Sequence, residues 1–284
     1  MLVVATVAEV RAAVAEYRRE HRTVGFVPTM GYLHEGHLAL VDRSKALAGR
    51  TVVSIFVNPL QFGPHEDLER YPRDLDRDLR VLRARGADLV FLPTVEVMYP
   101  EPIMVRVDPG PIGDRWEGAV RPGHFSGVLT VVAKLFHQIA PDRAILGQKD
   151  IQQVTLIRRM VHDLDWALEI TVVPTARDAD GLALSSRNGY LSAEQREDGL
   201  ALCRALRRVE AAWASGLVEA PALEAMARDT LAERPRISAD YIAVVDPARL
   251  DPVTVALPGT IVAVAARVGP TRLLDNVILG ELAS

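Results

Sequence analysis

The stretch VGFVPTMGYLHEGHLALVDRSKALAGRTVVSIFV, residues 24–57, decides the fold. It opens with a short apolar run, Val24–Thr29, closed by a turn. Over residues 36–47 the apolar positions Leu38, Val41 and Leu47 fall at helical spacing, with Asp42, Arg43 and Lys45 polar. Residues 51–57 are then β-branched and nearly continuous, as in strands buried on both faces. Strand, helix and strand in succession predict a parallel pair joined by a crossover.

The same alternation continues outward. Residues 73–85 read as a charged surface helix, and 89–92 as a short buried strand ended by Pro93. An apolar helix over 127–139, a strand over 144–146, a helix over 151–164 and a strand over 169–173 follow, the last closed by Pro174. This predicts an α/β fold, a Rossmann-like doubly wound parallel sheet over residues 1–175, with ligands outside the carboxyl ends of its strands. From about Ala176 the character changes. A polar loop leads to Ser192-Ala193-Glu194-Gln195, a capped helix start, and two Ala-rich helical stretches are separated near residues 216–221. Short strands are expected at 241–245, 261–265 and 273–274, giving a smaller C-terminal α+β domain over residues 176–284.

Composition narrows the function. With 33 Lys and Arg against 37 Asp and Glu, the chain has a formal charge of −4 and no global basic field for nucleic acid. The single cysteine, Cys203, cannot form an internal disulfide and is expected to be buried and inert, as suits a reducing compartment. The first twenty residues lack a signal-peptide layout, and no apolar run approaches the roughly 18–20 residues that span a bilayer. A soluble, cytoplasmic protein with no membrane partner is expected.

Four groups of residues can carry chemistry. In Pro28-Thr29-Met30-Gly31-Tyr32-Leu33-His34-Glu35-Gly36-His37, a buried strand runs into a two-glycine loop and then a helix. A helix N-terminus attracts phosphate, and two imidazoles three residues apart add donors that reach the same anion. Surface histidines or a zinc pair remain alternative readings of His34 and His37 by themselves. Gly147-Gln148-Lys149-Asp150 also stands where a strand gives way to a helix. Lys149 suits a phosphate and Asp150 suits Mg²⁺ or a ribose hydroxyl, while a solvated ion pair is the plain alternative. Gln153 follows on roughly the same helix face. Ser185, Ser186 and Arg187, in Asp180-Gly181-Leu182-Ala183-Leu184-Ser185-Ser186-Arg187-Asn188, form either a clamp for a triphosphate or an ordinary polar loop. Asn58 and Gln61 follow the strongest strand, where polar side chains meet ligands.

Together these blocks resemble a known family. Val27-Pro28-Thr29-Met30-Gly31, His34-Glu35-Gly36-His37, Phe56-Val57-Asn58-Pro59-Leu60-Gln61-Phe62, Arg121-Pro122-Gly123-His124-Phe125, Gly147 to Asp150 and Leu184 to Asn188 are similar, in order and spacing, to the signature blocks of pantothenate synthetases (pantoate–β-alanine ligases). Those enzymes belong to the His-x-Gly-His nucleotidylyltransferases. Tyr71-Pro72-Arg73 and Thr271-Arg272-Leu273-Leu274-Asp275-Asn276 extend the likeness.

The resemblance implies condensation of pantoate with β-alanine through a pantoyl-adenylate, with ATP as co-substrate and Mg²⁺ carried mainly by ATP, Asp150 being its candidate protein ligand. It implies that Pro28 to His37, Gly147 to Asp150, Ala176 and Leu184 to Arg187 line the ATP site, with the C-terminal domain closing over it. His34, His37, Lys149 and Arg187 are the implied catalytic groups. Gln61 and Gln153 would hold pantoate, with Asn58 and Tyr71 near the acyl pocket. A homodimer is implied as well. Three positions depart from the family pattern: Ile151 where Tyr is frequent, Trp116 where Leu is, and Ala176 where Val is. None removes a group the chemistry needs. Other nucleotidylyltransferases, a metal-dependent hydrolase built on the two histidines, and a non-catalytic nucleotide-binding module are the competing classes.

Overall fold

The computed structural model describes residues 1–64 and 66–281. The chain divides into two compact units, Met1–Gly147 with Leu156–Val173, and Gln148–Thr155 with Pro174–Ser284.

The first unit is built on a parallel sheet of six strands. Its elements run β1 (Leu2–Val4), α1 (Val7–Arg19), β2 (Val24–Thr29), α2 (Glu35–Leu47), β3 (Arg50–Ile55), α3 (Leu75–Arg85) and β4 (Leu89–Phe91). After two single-turn helices, α4 (Val95–Met98) and α5 (Glu117–Val120), come α6 (His124–Ile139), β5 (Arg143–Gly147), α7 (Ile151–Asp163), which belongs to this unit from Leu156 on, and β6 (Glu169–Val173). The order across the sheet is β1-β4-β3-β2-β5-β6. Neighbouring residues of a strand point to opposite faces. Phe26 meets Phe136 of α6 edge to face at 6.2 Å, whereas Val27 clusters with Leu38, Leu40 and Val41 of α2. Helices therefore cover both faces, and β3 is buried from Thr51 to Ile55. Gly25 is required by that packing, because a Cβ there would stand 2.3 Å from Ser44 Oγ of α2.

The chain steps from β2 outward through β3 and β4, then returns to β5 on the other side of β2. This is the reversal point at which open α/β sheets bind ligands. β2 pairs with β3 along its whole length but with β5 only at Gly25 and Phe26. The two strands part before Pro28, a residue with no N–H to give a sheet. Beyond Phe26 the carboxyl ends of the two strands are not paired with each other.

The second unit holds α8 (Ala193–Ala214), α9 (Ala220–Ala232) and an antiparallel sheet β7 (Ile237–Val245), β8 (Ile261–Val268), β9 (Thr271–Ile278). Ser192 and Gln195 form the reciprocal cap at the start of α8 that their spacing predicts. Leu202, Leu206 and Val209 of α8 and Leu223 and Ala227 of α9 pack with Ile242, Val262 and Val264 of the sheet.

Several elements differ from the sequence expectation. β1 and α1 were not anticipated, although Thr6 and Glu9 make a full capping box at the start of α1. β9 extends over Thr271–Ile278 rather than residues 273–274, because polar Asp275 and Asn276, both buried, break the apolar pattern by which a strand is recognised. The charged helix α3 is not wholly a surface element, since Asp78 and Leu82 are buried.

Candidate active site

The loop after β2 is shaped by backbone that only certain residues tolerate. Gly31 has φ 82° and Tyr32 has φ 49°, both left-handed. Two consecutive amides thereby turn to one side, and Asp78 of α3 accepts both, from Tyr32 N–H at 2.6 Å and Leu33 N–H at 2.8 Å. Burial pushes the Asp78 carboxyl above its ordinary range, against the pull of those two amides. The adjacent Arg77 donates to the Leu33 carbonyl at 2.8 Å and lies over the Tyr32 ring. Thr29 fixes the other end, its hydroxyl donating to the Ser54 carbonyl at 2.7 Å and accepting from Gly31 N–H.

His34 is the N-cap of α2. Its carbonyl takes the amides of His37 and Leu38, which leaves those of Glu35 and Gly36 outside the helical ladder. His37 Nδ1 accepts the His34 amide at 3.3 Å, and the two rings lie 4.1 Å apart. An Nδ1 that accepts must be unprotonated, so the ring's donor in this arrangement is Nε2–H. Glu35, within the same motif, points away to the surface and pairs with Arg85.

After β3, the Gln61 side chain is braced at both ends of its amide. Asn58 Nδ2 donates to Gln61 Oε1 at 3.1 Å, and Gln61 Nε2 donates to the Met30 sulfur at 3.0 Å. An amide offers two donors and two acceptor lone pairs. Gln61 therefore retains one N–H and one lone pair for a ligand. Asn58 retains none: its oxygen also takes Tyr99 O–H and Leu60 N–H, and its nitrogen also gives to the Gly127 carbonyl. Burial pushes the Tyr99 phenol up, so it stays a donor. Asn58, 1% exposed, thus stands behind Gln61. Tyr71 is buried with its ring edge-on to Phe62.

The backbone of Gln61 is held too. Its carbonyl accepts from Arg121 Nη2 at 3.1 Å and from His124 Nδ1 at 2.8 Å, and Arg121 also forms a bidentate pair with Glu66. Burial, with the Arg121 charge beside it, depresses His124 to about 4, so its ring is neutral at physiological pH. Gly127 completes the brace, for a Cβ there would lie 2.1 Å from the Leu60 carbonyl oxygen.

In the second unit Lys149 and Ser185 line one narrow crevice with Asp275. The Lys149 ammonium lies 3.6 Å from Asp150. Leu184 N–H donates to the Ala176 carbonyl at 2.9 Å, which closes the 176–184 hairpin, and Ser185 Oγ caps the turn carrying Ser186 and Arg187. Arg177 is joined to buried Asp275 by two bonds of 2.6 and 2.8 Å. Gln153, half-buried, and Ile151, buried, lie on the first turn of α7. The structure thus brings together Met30, Asn58 and Gln61 in one unit, and Lys149 and Ser185 in the other. Cys203 is buried and burial raises its thiol pKa, as expected of an inert cysteine.

Asp78, Arg77, Arg177 and Asn276 had no place in the sequence reading of the site, and Arg121 and His124 had no role in it. One buried aspartate in the run Asp74-Leu75-Asp76-Arg77-Asp78 carries no local mark. Arg121, His124 and Asn276 do fall in family-like blocks, which was the available signal. Among the described residues no group of three or more His, Cys, Asp or Glu is arranged to hold a metal ion.

A parallel sheet with its reversal at β2, presenting a histidine-bearing helix start beyond its carboxyl edge, defines a nucleotide-handling α/β protein of the Rossmann-like class. The model of the family "Pantoate-beta-alanine ligase" matches residues 2–278. The chain is 53% identical to the pantothenate synthetase of Acidobacterium capsulatum over 287 aligned positions, covering 97% of this chain and 96% of that one. It superposes on the crystal structure of pantothenate synthetase from Thermus thermophilus with a TM-score of 0.93 and 49% identity, over 98% and 99% of the two chains. The pantoate–β-alanine ligase of Francisella tularensis, described as complexed with β,γ-ATP and β-alanine, gives a TM-score of 0.82 and 33% identity over 100% of both chains. The chain belongs to the pantoate–β-alanine ligase family.

Proposed function

We propose that the chain joins pantoate to β-alanine in an ATP-dependent reaction carried by the groups described above. A carboxylate at neutral pH does not condense with an amine, so it must first be activated. The pantoate carboxylate attacks the α-phosphorus of ATP, the bond to the β-phosphate bridging oxygen breaks, and pyrophosphate leaves. The β-alanine amine then attacks the carbonyl of the mixed anhydride, AMP departs with the C–O bond electrons, and the amine loses a proton.

The observation that carries this reading is the braced Gln61. Its remaining N–H can donate to a carboxylate and its remaining lone pair can accept from a hydroxyl, the two groups that pantoate offers. A neutral amide orients the acid without drawing off its nucleophilicity as a guanidinium would. Gln153 is assigned the same task, Asn58 positions Gln61, and Tyr71 is assigned to the acyl pocket. Phosphate binding is assigned to the helix start at Glu35 and Gly36, to His34 and His37, and to Lys149, Ser185, Ser186 and Arg187. The charge that builds on the phosphoryl oxygens and leaving pyrophosphate is what these donors stabilise. Pro28 to Leu33, Gly147, Gln148, Ala176 and Leu184 supply the backbone around the nucleotide.

Mg²⁺, when bound, neutralises further phosphate charge. Asp150 is a single, half-exposed carboxylate beside an ammonium, so it fits one ligand position, the rest falling to ATP and water. A cytoplasmic homodimer is part of the proposal, supported by the family resemblance and the reliance on ATP; no helix among the described residues is long and apolar enough to cross a membrane. Sedimentation velocity reports the dimer. The functional test is AMP release from purified protein: it should require ATP, pantoate and β-alanine together. AMP formation indifferent to pantoate would overturn the assignment.

A further inference from the structure

Asn276 lies in the middle of β9, 2% exposed, and its side chain is spent on a segment 128 residues away. Nδ2 donates to the Gln148 carbonyl at 3.1 Å and to the Lys149 carbonyl at 2.9 Å, while Oδ1 accepts from Gln148 Nε2 at 3.2 Å. Three bonds thus run to two consecutive residues of one turn. The neighbouring Asp275 fixes the frame from which Asn276 works: its carboxylate accepts Asn276 N–H at 2.8 Å and the two Arg177 bonds. Arg177 in turn donates to the Gly181 carbonyl at 3.2 Å, inside the hairpin that carries Ser185.

We propose that Asn276 is a positioning residue for Lys149, holding the backbone from which its ammonium projects. The proposal rests on the assignment of Lys149 to the phosphates of ATP. A lysine side chain has four methylenes and spreads over many rotamers. Its head can meet a developing charge only if its root is fixed, and displacement by an ångström can cost on the order of a hundredfold in rate. Backbone anchoring at both Gln148 and Lys149 removes that freedom at the Cα. Asp275 and Arg177 hold the Ser185 hairpin to the same strand, so two phosphate-directed elements share one buried dipeptide.

The test is a double-mutant cycle on pantoate-dependent pyrophosphate exchange. Lys149→Ala should lose on the order of 10²–10³ in rate, as when one oxyanion donor is removed. Asn276→Ala should lose about 10–100-fold in kcat, with a smaller change in KM for pantoate, to which Gln61 and Gln153 rather than Lys149 are assigned. The double variant should be no slower than Lys149→Ala alone, because a residue acting through Lys149 has nothing to act on once it is gone. Multiplied losses would mean a merely structural role and overturn the proposal. If Asn276→Ala does not fold, Asn276→Ser, which keeps one donor, serves in the same cycle with a smaller loss. A Lys149→Ala loss below threefold would refute the assignment of Lys149 itself, visible in the single variant, and this proposal with it.

Discussion

His124 offers the sharpest test of how Gln61 is held. Its Nδ1–H donates to the Gln61 carbonyl, so Nε2 is the ring's lone-pair nitrogen, and that nitrogen faces Arg121 Nη1 at 3.1 Å. A second proton on the ring would point at a guanidinium. Burial and that charge hold His124 at about 4, against 6.5 for an ordinary imidazole. Above pH 6.5 the ring is neutral folded or unfolded. Between 6.5 and 4 the unfolded chain takes the proton and the folded chain does not, so stability is lost as pH falls across that window. With about 1.4 kcal/mol per pH unit, the loss reaches about 3 kcal/mol near pH 4. His124→Asn retains a donor for the Gln61 carbonyl but does not titrate. Urea unfolding of both proteins from pH 7.5 to 4 should show the wild type falling relative to the variant by that amount. KM for pantoate should rise in the wild type only as pH approaches 4, where the folded ring takes a proton at Nε2 and repels Arg121, the other donor to the Gln61 carbonyl. A stability difference between the two proteins that stays flat with pH would refute the argument.

Asp78→Ala strands two buried amides, at about 1–3 kcal/mol each, less what is recovered by no longer burying a carboxylate. Pyrophosphate exchange should fall more than tenfold, and aminolysis of supplied pantoyl-adenylate much less; equal losses would make Asp78 merely structural. Gly127→Ala forces a Cβ to within 2.1 Å of the Leu60 carbonyl oxygen, so the turn before Gln61 must move. It should cost about 1–3 kcal/mol in thermal unfolding and raise KM for pantoate while leaving KM for ATP alone. Gln153→Arg should slow single-turnover adenylate formation at saturating pantoate, because a guanidinium blunts the attacking carboxylate; an unchanged rate would remove Gln153 from that role.

The sequence by itself determined the kind and order of elements from Val24 to Val173, because helical and strand periods are local properties of a chain. It also placed the two-glycine, two-histidine stretch between a strand and a helix, where an anion is the expected ligand. Hydrogen-bond partners are not local. Asp78 meets Tyr32 across 46 residues, His124 meets Gln61 across 63, and Asn276 meets Gln148 across 128. Period and composition carry no record of such pairings, and a buried carboxylate or amide looks in sequence like any surface one. The tertiary structure alone decided that β2 stands where the sheet reverses, that Asn58 works behind Gln61, and that Gln148–Thr155 groups with the second unit. That last grouping has a plain cause: the segment follows a strand of one unit in sequence, yet its first two residues are bonded to the last strand of the other.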